Sequence, residues 1–205
     1  MILNKRRPAT KDLKRDIILN AARLVFEQEG LEGASLRAIA KAAGYTPAAL
    51  YFHFDSKEAV YAELLSQSLN ALCSATEEAI AREANPAERL KSAAMAFFHY
   101  YRDNPGDLDL GFYLFRGGMK PTGLGKERNL ELNKQLHDSL LPITNAALAL
   151  GASESNAREI TASLFAHATG LLLLAHTGRI RIFSANAEVM MQDYATALAN
   201  QAALG

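Results

Sequence analysis

Helical period runs through almost the whole chain, interrupted by glycine and proline, and no stretch alternates as a strand would. That pattern leaves an all-α fold. Ile17, Ala21, Leu24 and Val25 recur at i, i+4, i+7 and i+8, which predicts one buried face of a helix over 10–29 closed by Gly30 and Gly33. Ser35 caps a short second helix with Leu36, Ile39, Ala40 and Ala43 inward, and Gly44 ends it. Thr46 followed by Pro47 starts a third helix over 47–54. Asp55 or Ser56 opens a long fourth over 56–83, striped by Val60, Leu64, Ala71, Leu72, Ala75 and Ala79. Five more helices are expected over 86–102, 107–116, 126–150 (with Pro142 inside), 153–176 and 185–201. The glycine-rich run 116–125 joins two of them, and flexing is expected at Gly117 and Gly118.

With 205 residues, 49% hydrophobic and 21% charged, the chain is globular in composition rather than disordered or collagen-like. A single cysteine, Cys73, excludes a disulfide framework and a cysteine-based zinc cluster. The opening MILNKRRPATK has no apolar run behind it, and 171–175 is too short to span a bilayer. A cytoplasmic protein with no membrane partner is expected. The zero net charge is split unevenly: residues 1–60 carry ten Lys/Arg against seven Asp/Glu, and the remainder twelve against fifteen. Different partners for the two parts would explain this split, and so would chance.

A helix, a glycine turn and a second short helix make the helix-turn-helix layout, whose second helix enters the DNA major groove. The segment is LRAIAKAAGYTPAALYFHF, residues 36–54. Leu50 points back at the preceding helix, while Thr46, Ala48, Ala49, Tyr51 and His53 point outward. Spacing alone fits an ordinary helical hairpin equally well.

The longer run ASLRAIAKAAGYTPAALYFHFDSKEAVYAEL, residues 34–64, resembles the N-terminal DNA-binding domain of the TetR family of transcriptional regulators. LYFHF followed by Ser56, Lys57 and Glu58 is its most specific part, and RDIILNAARLVFEQEG before it is similar to that family's first helix. The resemblance implies a three-helix head over 1–55, with its motif at about 35–54, and a six-helix effector-binding and dimerisation body over 56–205. It implies phosphate contacts by Ser35, Tyr51, His53 and Lys57. It implies base contacts by Thr46, Pro47 and Ala49, with Arg37 reaching a guanine edge or a phosphate. The basic run Lys5, Arg6, Arg7, Lys11, Lys14 and Arg15 either follows the DNA or is a solvated arm.

Residues 97–115 hold seven of the sixteen Phe and Tyr residues. Phe98, His99, Tyr101, Phe112, Tyr113 and Arg116, with His137 and His167, line a hydrophobic effector pocket or fill a bundle core. Ile160, Leu164 and Leu171, with Ala187, Met191, Tyr194 and Leu198, form either a homodimer interface or an internal seam. None of the five histidines follows a glutamate by three residues, no H-E-x-x-H occurs, and 118–126 lacks the lysine of a phosphate loop. No metal, no cofactor and no catalytic role are expected. The reading is a homodimeric repressor that binds a palindromic operator in double-stranded DNA and is released by a small, largely hydrophobic effector. Its alternative is a helical ligand-binding or scaffold bundle that does not act on DNA.

Overall fold

The computed structural model describes residues 7–112 and 124–203, with side chains from residue 13 onward. These residues form nine α-helices and no strand: α1 (Arg7–Gly33), α2 (Leu36–Ala42), α3 (Pro47–Tyr51), α4 (Lys57–Ala81), α5 (Pro86–Asp103), α6 (Pro105–Phe112), α7 (Lys126–Ala149), α8 (Glu154–His176) and α9 (Ala187–Ala202). A 3₁₀ turn, Arg179–Phe183, joins the last two. The punctuation works chemically as expected. Ser35, Thr46, Asn85, Ser153 and Asn186 each accept a backbone N–H of the helix they precede. Ser56 caps α4, its Oγ accepting the Ala59 N–H at 3.1 Å. Gly30 sits at φ 70°, ψ 175°, so the last turn of α1 is separated from the rest by a kink. α7 runs on through Pro142.

The chain divides into two compact units: Met1–Gln67 with Asp109–Leu132, and Ser68–Leu108 with Asn133–Gly205. α4 contributes residues to both.

In the first unit α1 packs on α2 and α2 on α3. The buried face of α1 is Ile18, Ala22, Val25 and Phe26, with Ala21 beside it, whereas Ile17 and Leu24 of the expected stripe are 41% and 57% exposed. Both sets have the same i, i+4, i+7, i+8 spacing, so periodicity could not choose between them. Phe26 does, because its ring meets Tyr61 edge-on at 5.4 Å between centroids. Tyr61 in turn donates its hydroxyl to the Leu110 carbonyl. Arg15, counted above with the basic tail, lies 4.4 Å over the buried Phe54 ring and pairs with Glu63 at 3.0 Å. Half-buried, it braces the head.

In the second unit α5 packs on α8 and α9, and α8 packs on α9. Phe97, Phe98 and Tyr101 of α5 are buried, and the Phe97 ring meets Phe165 of α8 edge-on at 5.7 Å. The Thr144 and Thr161 hydroxyls share a hydrogen bond of 2.8 Å, tying α7 to α8. No helix among the described residues is long and apolar enough to cross a membrane.

Candidate nucleic-acid interface

The site is built outward from three buried side chains. Leu36, Ile39 and Ala40 hold the inner side of α2. At its end Gly44 takes φ +73°, which brings the Tyr45 N–H to the Ala40 carbonyl at 2.9 Å and its own N–H to the Lys41 carbonyl at 3.2 Å. A Cβ on Gly44 would meet open space, so glycine is needed there for its backbone angle and not for room. The chain thus turns tightly into Thr46, whose Oγ1 accepts the Ala49 N–H at 3.3 Å, and Pro47 fills the first helical turn. Leu50, fully buried, is the one buried residue of this five-residue helix. α3 is pinned by a single leucine and presents its remaining side chains.

Ser35, Arg37, Thr46, Pro47 and Tyr51 are exposed, Tyr51 to 57%, while Ala49 and His53 are half-buried. Arg37 and the exposed Lys41 add positive charge along α2. Lys57 is half-buried, and its Nζ donates to the Glu32 carbonyl at 2.9 Å. An ammonium has three donors, so this bond positions Lys57 and leaves protons for a phosphate. Phe52 was not selected from the sequence, yet at 83% exposed it is the most open large apolar side chain described, set edge-on to His53 at 5.7 Å. Its signal lay in the period: with Leu50 and Phe54 turned inward, 51 and 52 must turn out. The side chains of Lys5, Arg6, Arg7 and Lys11 lie outside the described residues.

Residues 18–64 match the family of bacterial regulatory proteins, tetR family. The match begins at Ile18, the first buried residue among the described side chains of α1, and ends at Leu64, so it covers their buried faces in α1 to α3 and the start of α4 as one block. The likeness to that family is thus one of the head, residues 18–64. Over 85 residues the chain is 38% identical to the HTH-type transcriptional repressor KstR2 of Mycobacterium tuberculosis, a stretch covering 42% of each protein. The chain therefore matches less than half the length of that relative. In fold the likeness is wider. The TetR-family regulator PfmR of Thermus thermophilus superposes with a TM-score of 0.72 at 22% identity, covering 90% of this chain and 94% of that one. FadR of Bacillus subtilis, solved with stearoyl-CoA, gives 0.70 at 17% identity, covering 90% and 97%. At such identities the likeness is one of fold.

Of the eight residues expected to line a pocket, six are described, and Phe98 lines a groove of the second unit. Phe98 and Tyr101 are core residues, and burial pushes the Tyr101 phenol above its usual range. A groove of about 390 Å³ gathers Phe98 with Arg102, Gly178, Ile180, Arg181 and Glu188. His99 touches its wall, with Nε2 2.9 Å from Glu188 Oε1, and Arg102 bonds the other oxygen of that carboxylate. The hydrogen bond from His99 leads, with Arg102, in holding the Glu188 carboxyl below the usual range. His137 is exposed beside Asp138, and Phe112 is half-buried in the first unit. His167 stacks on Tyr194 at 3.9 Å between centroids. Tyr113 and Arg116, with Gly117 and Gly118, lie outside the described residues. α5 places Phe97, Phe98 and Tyr101 on the side that α8 and α9 cover.

The expected dimer stripe is likewise used within one chain. Ile160, Leu164, Leu171, Met191 and Leu198 are buried, and Ala187 and Tyr194 half-buried, where α8 meets α9. The internal-seam alternative describes them. The open face of α8 carries Ala162, Ala166, Gly170 and Leu173, and that of α9 carries Val189, Met190 and Ala197. Burial, led over the Glu77 carboxylate, pushes the Cys73 thiol up, which disfavours the reactive thiolate. Among the described residues no three His, Cys, Asp or Glu side chains are placed to hold a metal ion.

Proposed function

We propose that the whole chain is a ligand-responsive transcriptional repressor that binds a palindromic operator as a homodimer and is released by a small, largely hydrophobic effector. One observation carries the DNA reading. A five-residue helix held by one leucine leaves Thr46, Pro47 and Tyr51 exposed, as Ser35 and Arg37 of the preceding cap and helix are, within a head that matches the tetR family. A helix this short has no stability of its own, and its exposed residues suit contact with a groove. Few of them make bidentate base contacts, so Arg37, methyl contacts and DNA shape carry the sequence selectivity. Two such heads related by a two-fold axis read half-sites about 34–36 Å apart. The open faces of α8 and α9 are the surfaces this reading assigns to the partner.

Repression is supported by the name of KstR2, and a lipid-like effector by the stearoyl-CoA held in the Bacillus subtilis fold neighbour. The effector releases DNA only through a difference in its affinity for the bound and free forms; about 1–3 kcal/mol of coupling changes operator affinity roughly 5–150-fold. Fluorescence anisotropy of the protein on DNA from its own upstream region, against a scrambled duplex at several salt concentrations, tests the reading. Selective, salt-sensitive binding with two protomers per site is expected. Absence of DNA binding even at low salt would leave the non-DNA bundle.

A further inference from the structure

The groove of the second unit is made by small residues and one folded-back arginine. Ala175 near the end of α8, Gly178 beyond it, and Ala185 and Ala187 on either side of the α9 cap all line it. Little side chain therefore fills the corner where α5, α8 and α9 pack together. Phe98 and Ile180 add apolar walls. Gly178 takes φ +69°, and a Cβ there would lie 2.5 Å from Arg181 Nη2, so the guanidinium rests directly against the glycine backbone.

The polar groups around this space are unevenly used. Glu188 has one oxygen on His99 Nε2 and the other on Arg102. Arg102 also donates to both oxygens of Asp103, at 2.7 and 3.0 Å. Asn186 accepts the Glu188 and Val189 N–H groups through Oδ1 at 2.9 and 3.2 Å, which leaves the protons of its amide nitrogen to give. Arg181 has no carboxylate partner among the described residues. What the groove has to spare is donors, a planar guanidinium fork and an amide, beside an apolar wall. A cation or an uncharged apolar molecule would leave that guanidinium unanswered. A dianion such as a phosphate monoester would answer it but bring its second charge towards the Glu188 carboxylate that lines the same groove.

We propose that this groove binds a small amphipathic monocarboxylate, its carboxylate accepting from Arg181 and Asn186 and its apolar body lying against Phe98 and Ile180. At about 390 Å³ the space is near the lower end of small-ligand sites, which keeps that body short. The inference deepens the effector reading above and rests on it for the regulatory consequence alone, since binding itself needs no DNA.

Calorimetric titration of the full chain with octanoate tests it. Wild type should bind octanoate, and Arg181→Gln should bind it about tenfold more weakly or less, with an unchanged melting temperature because Arg181 is exposed. Ala185→Leu keeps the charge and fills the groove, so it too should weaken octanoate. Octylammonium should not bind, and octyl phosphate should bind less tightly than octanoate. Absence of octanoate binding, or an affinity that neither substitution changes, would overturn the site. Tighter binding of octyl phosphate would overturn the carboxylate. Octanoate held through Arg181 while operator affinity stays unchanged in anisotropy would keep the site and remove it as the effector's. A wild type that binds octanoate but no DNA would overturn the repressor reading and leave the site standing.

Discussion

The hydroxyls of Ser35 and Thr46 each accept an N–H from their own helix, at 3.1 and 3.3 Å, so each has its hydrogen left to offer to a DNA phosphate. Cap and contact are the same atom used in two ways. Lys57 is similarly shared, because its bond to the Glu32 carbonyl orients an ammonium that still has donors to give. Lys57→Gln is expected to weaken operator and random DNA alike, and to lower the slope of log affinity against log salt by about 1, measured by anisotropy titration. Arg37→Ala should cost about 1–3 kcal/mol of discrimination between operator and mutated operator if it reads a base, and leave the ratio unchanged if it holds a phosphate. His167 adds a pH term. Burial leads in holding its imidazole below the usual 6.5, against an opposing backbone hydrogen bond at Met190. The unfolded chain then takes up the proton first, so stability is full above about pH 6.5 and declines as pH falls towards the lower folded value. Denaturant midpoints against pH check this, and His167→Gln should flatten that part of the profile.

At the level of elements, the head depends on a turn and a single anchor. Gly44→Ala forces a side chain into the left-handed region and should cost about 1–2 kcal/mol, read as a lower denaturation midpoint. Leu50→Ala removes the one buried contact of α3 and should cost about 2–5 kcal/mol, with DNA binding lost even where the protein stays folded. These two devices were legible before the structure, because glycine after an apolar run and Thr-Pro before one have few other uses. The face of α1 was not. Two apolar sets one residue apart satisfy the same spacing, and only the Phe26 ring against Tyr61 distinguishes them. Arg15 was counted with the tail charges for a related reason: residue type suggests a solvated cation, and packing over Phe54 makes it part of the head.

For the whole molecule, the helices of the described residues, their caps, the likeness of the head to the tetR family and its exposed side chains follow from information local in sequence. A cap, a turn and a period each involve residues within about one or two helical turns, and their chemistry can be read without knowing what lies across the core. Which apolar face of a helix turns inward, and against what, is not local. Ile160, Leu164, Leu171, Met191 and Leu198 have the spacing of an interface and the spacing of a seam, and contact between α8 and α9 within one chain makes them the seam. The aromatics of α5 read equally as pocket or core until α8 and α9 cover them. Periodicity states that a helix has a face to bury; only the tertiary structure, by filling space with particular side chains, decides which neighbour buries it and which face is left for another molecule.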